Sequence, residues 1–160
     1  MSQVTIIPYN YSKYGVYTSF FVLLNSVVAF IYGHLILSAF LVCLFVTSVM
    51  NWTNMTMISP AKTADIFLAC TCIMYITLVT APSFTDFWYD MWLDYVVFAT
   101  IIFTFNTAIF YEELNKTYDF VVSDQVLALH VTTHLVVMHI LSTLVCMAGI
   151  ISLNQTNSVT

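Results

Sequence analysis

The stretch GVYTSFFVLLNSVVAFIYGHLILSAFLVCLFVTSVM, residues 15–50, runs for 36 residues without an Asp, Glu, Lys or Arg. At about 1.5 Å per residue it would make a helix of roughly 54 Å, whereas the hydrocarbon core of a bilayer is only about 30 Å thick. It is therefore either one long, tilted, projecting helix or two spans that meet at Tyr32-Gly33-His34. Glycine takes up turn conformations that other residues avoid, so Gly33 marks the break. The choice fixes whether the chain crosses a membrane four times or five.

The rest of the chain shares this apolar character. Of its 160 residues 61% are hydrophobic and 7% charged, against roughly 25% charged in a soluble domain, so lipid rather than water is the expected solvent. Lys13, Lys62 and Lys116 are the only basic residues besides four histidines, and the net charge is −5. Such a chain cannot neutralise a phosphate backbone, which excludes nucleic acid as a partner. It also has nothing to draw it to anionic headgroups beyond insertion itself. No linker, repeat or low-complexity tract divides it, so residues 1–160 read as one integral membrane domain. The opening MSQVTIIPYNYSKYGVYTSF lacks a basic n-region and a small-residue cleavage site. The expectation is no cleavable signal peptide, with insertion by the first helix.

Working outward from Gly33, the expected spans cover approximately 15–32, 34–50, 60–81, 86–111 and 124–152. Ser59-Pro60 supplies a cap and a first-turn proline for the third span. Phe87, Trp88, Tyr89, Trp92 and Tyr95 read as an interfacial belt at the start of the fourth. Asp124 suits the positive end of the last helix. With five spans all three lysines fall on one side, whereas with four Lys13 faces away from the other two. The positive-inside rule thus selects five spans with a cytoplasmic N-terminus, and four is the alternative. Glycosylation at Asn10, Asn51, Asn54 or Asn115, each in an Asn-x-Ser/Thr triplet, would reverse that orientation.

Three of the four histidines lie in ALHVTTHLVVMHI, residues 128–140. On an α-helix His130 and His134 share a face about 6 Å apart, a chelating spacing. His139, nine residues past His130, turns about 180° away. The metal candidates are therefore His130, His134 and, as a third ligand, His34. A zinc or haem site through His34 requires the four-span arrangement, because five spans place His34 at the far surface, roughly 20 Å from His130 by helix rise. The expectation is no cofactor, with zinc as the alternative.

His130 and His134 in an HxxxH, together with the earlier Ser48 and Asp65, resemble the superfamily that includes hemolysin III, the progestin and adiponectin receptors and the alkaline ceramidases. That resemblance implies a zinc-dependent amide hydrolase inside the bilayer. Trp52 stands where the family has its further histidine, four residues after Ser48, and the family has seven spans.

Asp86, Asp90 and Asp94 recur at four-residue spacing and make an acidic stripe, either a cation-facing pore mouth or a solvated interfacial turn. Asn25, Ser26, Ser38, Thr104, Asn106, Thr107, Thr132, Thr133 and Ser142 read as dispersed interhelical hydrogen-bonding groups. Cys43, Cys70, Cys72 and Cys146 lie within apolar runs and read as reduced, packed thiols. Glu112 and Lys116 make an i,i+4 pair at a solvated helix end. No phosphate loop, HExxH or GxSxG is present. Together these features describe an all-α, multi-pass transmembrane bundle. Its expected role is that of a structural or accessory component, embedded in lipid and partnered by other membrane subunits or copies of itself, rather than that of an enzyme. A small cation-conducting oligomer and a His-dependent metal hydrolase are the alternatives.

Overall fold

A computed structural model of the chain describes residues 7–53, 55–56, 59–116 and 122–157, the last four by backbone alone. The sequons' Asn54 and Thr117 lie outside these residues. The described chain is helical: α1 (Tyr9–Ile31), α2 (Leu35–Thr53), α3 (Pro60–Tyr75), a π-helical segment (Ile76–Thr80) and a 3₁₀ turn (Ala81–Ser83) come first. Then follow α4 (Asp86–Lys116), α5 (Asp124–Thr133), a second π-helical segment (His134–Leu141) and α6 (Ser142–Asn157). They form five helices long and apolar enough to cross a membrane, at 9–31, 35–53, 60–83, 86–116 and 124–153. The first begins six residues before the expected start, and the fourth runs on through Glu112 and Lys116.

The break falls at Gly33, which has φ +81°. Its N–H donates to the Phe30 carbonyl (3.0 Å) and the His34 N–H reaches back to Ala29 (2.8 Å). This is the Schellman arrangement, in which a residue with positive φ lets the chain satisfy the last carbonyls of a helix before turning. The hairpin that results is held by small residues. Ser12, Gly15, Ser19, Val22, Ser26 and Ala29 are buried at three- and four-residue intervals along α1, and all but Val22 are small, which lets the two backbones approach closely. Ser19 Oγ donates to Ser48 Oγ (3.2 Å), and Ser26 Oγ to the Ser38 carbonyl (3.0 Å).

Ser59 caps α3 by accepting from the Lys62 N–H at 3.0 Å, with Pro60 at the first helical position. α3 packs closely along α2 and holds its backbone farther from that of α4, and side chains of both α3 and α4 line a cavity between them. Two α4 side chains tie the irregular turns together. Trp92 Nε1 donates to Thr77 Oγ1 in the first π segment, and the Tyr95 hydroxyl donates to the Val137 carbonyl in the second, each at 3.0 Å. Trp92 and Tyr95 are buried, while Phe87 is exposed. The expected belt therefore divides into outward aromatics and core side chains, because α4 turns one face inward every three or four residues.

Tyr11 OH bonds Asp124 Oδ1 (3.1 Å) and Lys62 Nζ bonds Tyr111 OH (3.0 Å). The starts of α1, α3 and α5 and the finish of α4 thus gather at one end, and all three lysines with them. That end carries an apolar cap in which Ile7, Met55, Val122 and Leu127 pack over Trp52, Phe110 and Leu114. Lys116 and Glu112 form an exposed 2.7 Å ion pair there. Of the four free cysteines, Cys72 and Cys146 are packed inside. Cys43 and Cys70 face outward, contrary to the expectation, because their positions on α2 and α3 fall on the outer faces.

Candidate functional site

The sequence around the C-terminal histidines folds in a way that α-helical projection does not foresee. Over His134–Leu141 the hydrogen bonds widen to the i→i+5 pattern of a π-helix, so residues five apart come to lie on one face. His134 and His139 are five apart, and their ring centroids stand 5.3 Å from each other. Both rings meet the indole of Trp52, at 5.0 and 6.3 Å respectively. Thr18 Oγ1 lies 2.8 Å from His139 Nδ1. His130 takes another direction: it stacks on Phe110 with centroids 4.3 Å apart, and Asn106 Nδ2 donates to its carbonyl at 3.3 Å.

Facing the His134–His139 pair from α2 and α3 is a buried polar group. Asn51 Nδ2 donates to Asp65 Oδ2 at 2.9 Å, and Ser48 stands within interaction range of the same carboxylate. Asp65 is buried and forms no salt bridge among the described residues. An ionised carboxyl in such surroundings depends on hydrogen-bond donors, since desolvation without them is costly. Asn51 itself is buried, which removes it as a glycan acceptor and makes it a structural donor instead.

Between these two groups lies a cavity of about 280 Å³. Asp65, Ala69 and Ile73 of α3 form one wall, and Val96, Ala99 and Phe103 of α4 form the other. α1 and α2 contribute the floor through Val22, Asn25 and Ser48, and His134, His139 and Thr143 close the back. The lining is mostly apolar, and the polar groups are few and grouped. At the rim Ile66 is 55% exposed, and Cys70, Thr100 and Thr104 are also exposed. The opening therefore coincides with the gap between α3 and α4 and looks sideways, along what would be the bilayer plane. Asn25 on the floor is 4% exposed; its side chain lies within hydrogen-bonding reach of Cys146, and its Oδ1 has no hydrogen-bond partner among the described residues.

The other residues singled out from the sequence are placed elsewhere. His34 sits at the α1–α2 turn, outside the candidate spans, where partial burial pushes its imidazole below the ordinary histidine value. His130 lies only six residues beyond Asp124, about 9 Å by helix rise, while His34 lies 23 residues beyond Tyr11, about 35 Å. Since Tyr11 and Asp124 touch, His34 and His130 are at opposite ends. Among the described residues no group of three His, Cys, Asp or Glu side chains converges as a metal site. Ser48 and Asp65 are neighbours, and Trp52, which stands four residues after Ser48, is fully buried and supplies an indole where a metal site would need a ligand. Asp86, Asp90 and Asp94 are exposed on the outer face of α4, away from the cavity.

Sequence reasoning missed two things here. The polar residues it treated as dispersed include Asn25, Thr104 and Ser142, which all reach this same cavity. His139, assigned to the face opposite His130, is brought to His134 by the π segment. No signal in the composition marks such a segment, although the recurrence of His at five-residue spacing is consistent with one.

Comparison with known protein families, with curated proteins and with solved structures gave no match to this chain.

Proposed function

We propose that the protein is a membrane-embedded binder of a small lipid-like molecule taken up from the bilayer. The observation that carries this reading is the sideways cavity between α3 and α4, with apolar walls and a grouped set of buried polar side chains at its base. A cavity of this make-up is the usual form of a small-molecule site, in which apolar surface supplies the affinity and a few polar atoms fix the orientation. A purely structural bundle would be expected to fill that space with side chains, since packed interiors keep few voids larger than a water molecule. The test is native mass spectrometry of the full chain released from gentle detergent. A bound lipid that disappears when Ala99→Trp fills the wall supports the reading. A ligand-free wild type, or a lipid retained equally by the filled variant, refutes it.

A component of a larger membrane assembly is the second reading, favoured by α4. The most apolar window of Asp86–Lys116 is only 22% buried, the lowest of the five spans, and Asp94 projects from its outer surface. A carboxyl placed there gains from a polar partner on another chain. Cross-linking from position 94 tests it: a discrete adduct to a second membrane subunit or to another copy supports assembly, and only lipid adducts argue against it.

A further inference from the structure

We infer that the cavity takes a single-chain lipid with an uncharged, hydrogen-bond-donating head, of the long-chain alcohol or monoacylglycerol class, which enters sideways between α3 and α4. The inference rests on the binding reading above and adds to it the chemistry of the ligand.

Size sets the first limit. Drug-sized pockets run from roughly 300 to 1,000 Å³, and this one, at about 280 Å³, sits just below that range. It has room for a head and the first part of one chain, the rest of which would lie in the lipid, rather than for both chains of a phospholipid. Shape sets the second. α3 is held against α2 but stands apart from α4, and the exposed rim residues Ile66, Cys70, Thr100 and Thr104 lie along that gap. A flexible apolar chain can pass there directly from lipid.

Charge complementarity sets the third limit. The chain has no arginine, and Lys13, Lys62 and Lys116 do not line the cavity. An anionic head would therefore be desolvated without a counter-charge and would also meet the Asp65 carboxyl, which lines the same wall. Asn25 Oδ1, in contrast, is an acceptor buried on the floor without a partner among the described residues, and leaving such an atom unsatisfied is costly. A hydroxyl meets both needs: its proton goes to an acceptor, and it brings no charge into a low-dielectric space. The lining also explains why a plain hydrocarbon is the weaker occupant, since it would leave Asn25 Oδ1 unpaired.

The experiment uses the full chain in phosphatidylcholine nanodiscs with a diazirine-bearing long-chain alcohol as the probe. Light-induced adducts are expected on the wall segments Ile66–Ile73 and Val96–Phe103. Unlabelled alcohol should suppress them. The matched fatty acid, kept ionised at about pH 9, well above the carboxyl range, should be weaker by about tenfold, and so should the matched alkane. Asn25→Leu should erase the advantage of alcohol over alkane while leaving the labelled positions unchanged. The competition series on the unaltered protein decides the matter even if that variant does not fold. A fatty acid that competes as well as the alcohol overturns the proposed head-group chemistry but leaves a lipid cavity standing. Adducts scattered over the outer helix faces, insensitive to every competitor, overturn the cavity reading and this inference together.

Discussion

Replacing Gly15 by alanine tests whether the site is held from behind by close packing. A Cβ built at Gly15 would stand 2.0 Å from Trp52 Cδ2, 2.4 Å from Cε3 and 2.5 Å from Cγ. Carbon atoms rest about 3.5–4.0 Å apart, so the indole or the α1 backbone must give way by about 1.5 Å. Trp52 has little room to move, being fully buried with the His134 ring 5.0 Å away. Overpacking of this kind costs about 1–3 kcal/mol, and the rigid obstacle puts it towards the upper end. The better helix propensity of alanine returns about 1 kcal/mol, for a net loss of about 2 kcal/mol. By the scaling of soluble domains of this length, that lowers the Tm by about 4–8 °C. The assay is thermal unfolding of the wild type, Gly15→Ala, Trp52→Phe and the double variant in the same detergent. Phenylalanine keeps the Cγ and Cδ positions but lacks the second ring that pins the indole against His134, so it can tilt away from the new methyl, giving a coupling energy of about 1 kcal/mol or more. A Gly15→Ala protein as stable as wild type, or strictly additive effects, would refute the argument that Trp52 is wedged between α1 and the histidines.

Three further outcomes are expected. Gly33→Ala meets no steric neighbour but must adopt φ +81°, so thermal unfolding should show a loss of about 1–2 kcal/mol from backbone strain alone, and Gly33→Asn a smaller one. Tyr95→Phe removes the donor to the Val137 carbonyl and should cost about 1 kcal/mol, with hydrogen exchange rising locally over 134–141; an unchanged exchange pattern would show that the π segment does not depend on α4. Tags at the two chain ends should report opposite sides of the membrane, as five crossings require, and protection of both tags on the same side would contradict the arrangement of helices described above.

The helical architecture was legible because it depends on composition and length, which act residue by residue. The 36-residue apolar run was too long for one crossing, and Gly33, Ser59-Pro60 and Asp124 act through local chemistry that a sequence displays directly. The site was less legible because it depends on geometry between helices. Trp92 and Tyr95 resemble interfacial aromatics in sequence, yet α4 turns them inward onto Thr77 and Val137. His134 and His139 diverge on an α-helix and meet only because the hydrogen bonds widen between them. Asn25, Asp65 and Thr143 lie on three different helices, and nothing in their spacing announces a shared cavity.

The apolar cap that Ile7, Met55, Val122 and Leu127 form over Trp52 bears on how any occupant of the cavity would be measured. On the binding reading, an occupant that enters sideways, below that cap, exchanges with the bilayer and not with the aqueous phase. The relevant concentration is then the mole fraction of the ligand among the surrounding lipids. Doubling the amount of membrane at a fixed quantity of ligand would halve that mole fraction and shift a titration curve accordingly, although no contact in the protein had changed. Dissociation constants quoted per litre of buffer would therefore disagree between preparations, while the same data expressed per mole of lipid would coincide.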